Sequence, residues 1–534
     1  RYKKSIRQGG SQQEALLFTY EGVRAWARLD LEAARALDVS PTEKLPIEVE
    51  ARWIEGNPEL CLAFDIHSRQ SDEKLSWTGI KETVTVPQDG NWHSLRATVI
   101  VPEFNSKEQW LRPIIGFDAT HDLAPGRMAV RSIAIGAPAD PNRELFKDRL
   151  VAKTKEPAPM DFSIYERDDL AWLQKTFACH FTFMYDKSFY DPKRKQFLVE
   201  QFLDDADEEF GGYDAVLLWH AYPRIGLDQR NQFDFYRDMP GGLEGLRDVV
   251  DRLHERGVKA FINYNPWDQA TRSQDVSDVV ALAEMVEAIN ADGIFLDTMH
   301  ASSPGLREEL DARKKGVVLV PEAHPATTDI SNLPGSWAQL PPQPFAPALL
   351  HHKWIETRHM QFQIRRWYTV APGTNHSEEI ENAFFNGSGM MIWENVFGTH
   401  NPWRPEDRAT WRRAAGVLHA LPDFFLTNEW KPFVSTASGD LYAHRWDLAD
   451  SSLFTLVNKG EPLENEPLFS LSWSEGMRGY NLWTGEGCEI EHTGQDAQVR
   501  GSIDKLGCVL VVRGEEPPQL DTLLKHQQAE AARK

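Results

Sequence analysis

The sequence predicts an α/β chain: a (β/α)8 barrel flanked by an N-terminal and a C-terminal β-sandwich. Three observations carry this. Between residues 153 and 426, short apolar runs alternate with amphipathic helical stretches at a spacing of roughly 30 residues. On either side of that region the apolar period drops to two, the mark of half-buried strands. Within it, Lys259–Asp268, Asp292–His300 and Gly316–His324 are apolar runs ending in polar and aromatic side chains. A β/α barrel gathers its functional groups at the C-terminal strand ends, where these clusters would meet.

Residues 1–152 hold the first sandwich. Leu45–Ile54, Glu59–Asp65 and Trp92–Pro102 alternate at period two, with Gly, Pro, Asn and Asp clusters between them, and Arg112–Phe117 and Ala129–Gly136 complete it. Lys153–Pro159 is a polar, Pro-containing linker.

The barrel occupies 153–426. Its first strand is expected at His180–Asp186 and its second at Ala215–His220. A helix over Gly242–Arg256 places Leu243, Leu246, Val250 and Leu253 on one face and stops at Gly257. The third strand starts at Val258. The next helix carries Val276, Val279, Val280, Ala283, Val286 and Ile289, and feeds a fourth strand at Gly293. The fifth is Val317–Val320. Remaining elements are expected between Ala348 and Phe397, among them the strand-like Gly389–Glu394; the pattern does not place the sixth and eighth strands. The second sandwich spans 427–515, with strands at Leu441–Trp446, Leu453–Asn458 and Cys508–Arg513, and 516–534 reads as a fraying polar tail.

Composition narrows the function. Of 534 residues, 41% are hydrophobic and 26% charged, as in globular proteins. The net charge of −22 disfavours nucleic acid and anionic membranes as partners. No apolar run approaches the ~18 residues of a membrane span, so no membrane insertion is expected. The 18 Trp suit both core packing and stacking on sugar rings. Four cysteines, Cys61, Cys179, Cys488 and Cys508, lack metal-ligand spacing; Cys488 and Cys508 either pair or stay as thiols. The first residue is Arg1, so a removed signal peptide and a secreted or periplasmic location are expected.

Two carboxylates on neighbouring strand ends, Asp297 and Glu322, are what glycosidic cleavage needs. Glu394, in Trp393-Glu-Asn395, competes for a catalytic place, and Glu356 is a fourth candidate. Around them the strand-end loops supply groups that bind sugars: Tyr185 and Asp186 after the first strand; Trp219, His220, Tyr222, Asp228, Arg230 and Asp234 after the second; Asn263, Asn265, Trp267 and Asp268 after the third. His300, His324, Trp393, Asn395 and His400 complete the set. No His-Glu-x-x-His pattern, phosphate loop or serine elbow is present, so neither metal nor cofactor is expected.

The run Asp292-Gly-Ile-Phe-Leu-Asp297-x-x-His300 resembles the fourth-strand nucleophile motif of retaining α-glycosidases with a TIM-type barrel, the α-amylase superfamily among them. That resemblance implies Asp297 as nucleophile, Glu322 as general acid/base and Glu394 as a third, stabilising carboxylate. Phe295 stands where α-amylases carry an Arg. Tyr480–Glu486 resembles a Trp-Thr-Gly turn in the C-terminal domains of such enzymes, and the first sandwich resembles jelly-roll carbohydrate-binding modules. The expectation is a glycoside hydrolase acting on an oligo- or polysaccharide. A non-catalytic carbohydrate-binding barrel, or a polysaccharide lyase or sugar isomerase on the same scaffold, are the alternatives.

Overall fold

The computed structural model of the chain describes residues 16–20, 25–28, 44–56, 59–71, 73–102, 104–105, 108–117, 126–135, 161–220, 228–266, 268, 271–322, 325, 327–340, 346–364, 375–396 and 399–533. The fold divides into two units, residues 1–150 and 151–534.

In the first unit, two four-stranded antiparallel sheets enclose one core. One runs in the order Leu16–Tyr20, Gly126–Ile135, Lys44–Glu55, His93–Ile100; the other Ala25–Arg28, Gln109–Phe117, Glu59–Ser68, Lys74–Thr85. Ile47 and Val49 from the first meet Leu62, Phe64 and Leu111 from the second. The strand Glu59–Ser68 departs from the expected wet-and-dry alternation. Cys61, Ala63, Asp65 and His67, on the face away from that core, are buried too. Two of these are small, His67 stacks on Trp110 at 4.5 Å, and Asp65 pairs with Lys74 Nζ at 2.5 Å.

The second unit carries eight parallel strands: Ala178–Phe183, Ala215–Trp219, Lys259–Tyr264, Gly293–Leu296, Val318–Pro321, Gly335–Ala338, Met360–Gln363 and Met390–Ile392. Ladders join them in the order five-four-three-two-one-eight-seven-six. Among the described residues no ladder joins the fifth to the sixth, so the barrel is nearly closed, with one seam. The sixth strand thus lies ahead of Ala348, not after it. It escapes the sequence pattern because a single 3-10 turn, Thr327–Ser331, precedes it instead of an amphipathic helix.

Aromatic rings fill the barrel interior. Phe181 meets Trp219 at 4.5 Å and Trp393 at 4.6 Å, and Phe295 stacks on Trp337 at 4.0 Å. Gly293 opens the fourth strand because a Cβ there would come within 2.3 Å of the Phe261 ring.

The C-terminal β region is one eight-stranded antiparallel sheet rather than two separate ones. It curls on itself, so Phe454 of Ser451–Asn458 stacks on Phe469 of Leu463–Ser472 at 3.8 Å although these strands are far apart in the ladder order. It is tied to the barrel, where Thr455 Oγ1 donates to Phe385 O at 2.7 Å and Lys459 pairs with Glu381 at 2.6 Å. Cys488 and Cys508 remain thiols.

The fraying tail is corrected: Leu520–Ala532 is a helix. Leu520, Leu523 and Gln527 form a buried stripe inside a polar composition. Glu530 pairs with Arg412 of the helix Pro405–Ala420 at 2.7 Å, and Gln527 donates to Arg413 O at 2.8 Å. Among the described residues no helix is long and apolar enough to cross a membrane.

Candidate active site

The fourth and fifth strands pair through Leu296 and Pro321. One residue further on, Asp297 and Glu322 stand side by side at the C-terminal strand ends. Asp297 N donates to Tyr264 O at 2.9 Å and Glu322 N to Leu296 O at 3.0 Å, so the backbone sets both positions. Two residues before Asp297 on the same inward face is Phe295, part of the aromatic interior. Asp297 therefore sits on an apolar floor and is 8% exposed; Glu322 is half-buried.

The two carboxyl groups are within hydrogen-bonding reach of each other. Each is also held from its own side. Asn265 Nδ2 donates to Asp297 Oδ2 at 3.2 Å. Thr298 N donates to Glu322 Oε2 at 2.9 Å, and Gln339 Nε2 to Glu322 Oε1 at 2.9 Å. Thr298 adopts φ +59°, a left-handed conformation that a β-branched residue rarely takes. Such strain marks functional positions, and here it aims an amide at Glu322.

Burial, and then the hydrogen bond and charge of Glu322, raise the Asp297 carboxyl far above the usual range. Among the described residues neither carboxyl has a cation partner. Phe295 beneath the pair offers no charge to offset them. A second carboxyl so close disfavours the ionised form of Asp297.

The structure places the other candidates variously. Tyr185 lies at the rim, 47% exposed. Asp186 is held by Asn395 Nδ2 at 2.6 Å and by Ser188; burial pushes its carboxyl up, but these hydrogen bonds outweigh it and hold the carboxyl below the ordinary value. Trp219 and Trp393 belong to the aromatic interior. His220 is fully buried with Nε2 3.2 Å from Asn263 Nδ2, and burial pushes its imidazole down to about 3. Asp228 and Asp238 both pair with Arg230, at 2.6 and 2.7 Å. Asp234 closes the capping box of the helix Gln232–Arg237 and pairs with Arg237 and Arg272. Asp268, raised by burial, accepts from Gln232 N at 2.7 Å. His300 and His400 are exposed. Tyr222, Trp267 and His324 lie outside the described residues.

Two carboxylate candidates are elsewhere. Glu394 follows the inward Trp393, and its carboxylate accepts from Arg408 Nη2 at 2.8 Å and Trp403 N at 2.9 Å. Glu356 precedes the seventh strand, at the opposite end of the barrel, and pairs with Arg358 at 2.8 Å. Three residues bearing on the pair escape sequence reasoning: Thr298, Gln232 and Gln339. Gln339 directly follows the sixth strand, and locating that strand would have pointed to it.

No protein-family model matches the chain, and no curated protein matches it. Solved structures do resemble it. An α-amylase from Anoxybacillus is 12% identical over 65% of this chain and 99% of its own, with a TM-score of 0.45. A maltogenic α-amylase from Thermotoga neapolitana is 12% identical over 64% of this chain and 100% of its own, at 0.43. A debranching enzyme from Nostoc punctiforme is 11% identical over 64% and 99%, at 0.42. At this identity and TM-score the likeness assigns neither family nor activity.

Proposed function

We propose that this protein is a glycoside hydrolase whose reaction is carried by Asp297 as nucleophile and Glu322 as general acid/base. The observation that carries this reading is the placement of Asp297 and Glu322 side by side at adjacent C-terminal strand ends of an eight-strand parallel barrel, with the Asp297 carboxyl raised by burial and by Glu322.

In the resting protein the proton resides on Asp297. A nucleophile must be ionised and an acid protonated, so the proton passes to Glu322, and contact between the carboxyls supplies the route. A sugar ring entering the site then separates them toward the ~5–5.5 Å of a retaining pair. Asn265 stays on Asp297 and stabilises it as an anion.

Glu322 then protonates the glycosidic oxygen as the Asp297 carboxylate attacks the anomeric carbon, breaking the C–O bond to the leaving group and forming a glycosyl ester. Water next adds to that carbon, giving its proton to Glu322 and releasing Asp297. Tyr185, exposed at the rim, is suited to stack on a sugar.

The test is product release from a panel of glycans and aryl glycosides. Wild type should release product, and Asp297→Asn and Glu322→Gln should each lose at least about 10³-fold. With azide and an activated aryl glycoside, Glu322→Gln should yield a glycosyl azide. Near wild-type turnover by either variant would overturn the assignment. Glycan binding without turnover by wild type would turn the reading to a carbohydrate-binding barrel.

A further inference from the structure

We propose that Gln232 is a positioning residue for Asp297, acting through Asn265; this inference rests on the reading of Asp297 as the nucleophile.

Asn265 directly follows the third strand, where among the described residues no ladder takes up its backbone. The carboxamide of Gln232 does so instead. Gln232 Nε2 donates to Asn265 O at 2.7 Å, and Asn265 N donates to Gln232 Oε1 at 2.7 Å. This reciprocal pair mimics a strand partner and is fully buried: Gln232 is 3% exposed and Asn265 0%. A carboxamide offers donor and acceptor in one plane; Glu offers acceptors alone when ionised, and Met offers no donor.

Gln232 is itself fixed. Its N–H donates to Asp268 Oδ2 at 2.7 Å. It opens the helix Gln232–Arg237, whose cap Asn231 exchanges hydrogen bonds with Asp234 and donates to Arg272 O at 2.6 Å. A rigid chain thus runs from the loop after the second strand, through the loop after the third, to an amide facing Asp297 on the fourth. That amide donates to the carboxylate and, beside the Thr298 backbone N–H, favours its ionised form against burial and Glu322.

Gln232→Met removes both bonds to the Asn265 backbone and loosens the placement of that residue. The proton should then be held more tightly on Asp297. The basic limb of the pH–rate profile should move up by about one pH unit, the worth of a hydrogen bond to a charged group. The ionised-Asp297 form becomes scarcer, so kcat should fall by about tenfold with KM unchanged. Asn265→Ala should move the limb the same way and at least as far. Gln232→Glu, which regains donor and acceptor when protonated, should recover activity toward low pH.

A readout independent of turnover separates this inference from the assigned reaction. Asp297→Asn should raise the unfolding midpoint increasingly with pH until Asp297 would have ionised in the folded protein, and the gain then levels off. That levelling-off pH should be higher in the Gln232→Met background than in wild type. If wild type hydrolyses no glycoside but the shift is present, the reaction is misassigned and the positioning role stands. A folded Gln232→Met protein with the levelling-off pH unmoved overturns the role. Should Gln232→Met not fold, Asn265→Ala with Gln232→Glu decides by the same measurement, and no shift in either overturns it.

Discussion

The two ends of the fourth barrel strand use the same side chain in opposite ways. At the N-terminal end of the barrel, carboxylates meet cations and amides. Asp214, ahead of the second strand, accepts from Phe177 N at 2.7 Å and Ala178 N at 2.8 Å and faces His419 Nε2 at 2.9 Å. Asp292, ahead of the fourth, is surrounded by His254 at 2.6 Å, Lys259 at 3.3 Å, Lys314 at 3.7 Å and the Ala260 N–H. Burial pushes Asp292 up, but these partners more than compensate and hold it below the ordinary carboxylate value. Five residues later, at the other end of the same strand, Asp297 meets another carboxyl and is pushed the opposite way. One end of this strand surrounds its carboxylate with cationic side chains and an amide, and the other sets its carboxyl beside a second carboxyl.

The comparison breaks most visibly at Asp292. Asp292→Asn leaves Lys259, Lys314 and His254 around a neutral amide. Breaking a buried ion pair costs about 3–5 kcal/mol. The partner side chains here are 20–37% exposed, so screening brings the expected loss to about 2 kcal/mol. Its folded carboxyl is depressed, so the contribution is present above the unfolded value near ~3.9 and lost as pH falls through the folded one. Turnover of the folded variant should stay within about twofold of wild type, as for a change remote from the site. Denaturant unfolding between pH 3 and 8 checks this. Equal stability of variant and wild type at neutral pH would show that the cluster does not stabilise the fold.

Asp297→Asn should move stability the other way. Its folded carboxyl is raised, so the wild-type side chain is at no disadvantage below the unfolded value of ~3.9 and is increasingly penalised as pH climbs toward the folded one. Replacement by the neutral amide should add about 1–2 kcal/mol at pH 7, while abolishing turnover. A loss of stability at pH 7 would mean that the hydrogen bond between the two carboxyls holds the pair more strongly than burial opposes it.

Much of this contrast is legible in the sequence, and its gaps have physical causes. Asp297 and Glu322 each end an apolar run, and the backbone has no other place for them than the rim. Strands one to four are each followed by a helix, and the change of period marks them and the fifth. The sixth, Gly335–Ala338, has four residues and no helix before it. Side-chain partners are harder still. Glu394 reads like Glu322 along the chain, yet an Arg 14 residues later occupies it. Asp234 reads as a sugar ligand and is a helix cap. The tail reads as polar because a short apolar stripe suffices when a neighbouring helix supplies an ion-pair partner, Arg412, for Glu530. Such pairings depend on which elements come to lie together, which periodicity along one segment does not encode.

The smallest expected effect tests whether pairing at the N-terminal end is electrostatic at all. His419 lies in the last turn of Pro405–Ala420, where the helix dipole favours a cation. Burial alone would lower its imidazole; the hydrogen bond and charge of Asp214 outweigh that and raise it above the ordinary value. A raised cation contributes stability that is fully present below the unfolded value of ~6.5 and lost as pH rises through the folded one. The unfolding midpoint of wild type should therefore exceed that of His419→Gln by most near pH 6, and the gap should narrow as pH rises beyond ~6.5. The ring is 35% exposed, so water screens the pair and the contribution should stay below about 1 kcal/mol, shrinking further in added salt. His419 also packs edge-on against Phe177 at 5.5 Å. A gap independent of both pH and salt would assign its role to that ring contact, and the carboxylates at this end would then differ from Asp297 and Glu322 in their hydrogen bonds rather than in their cations.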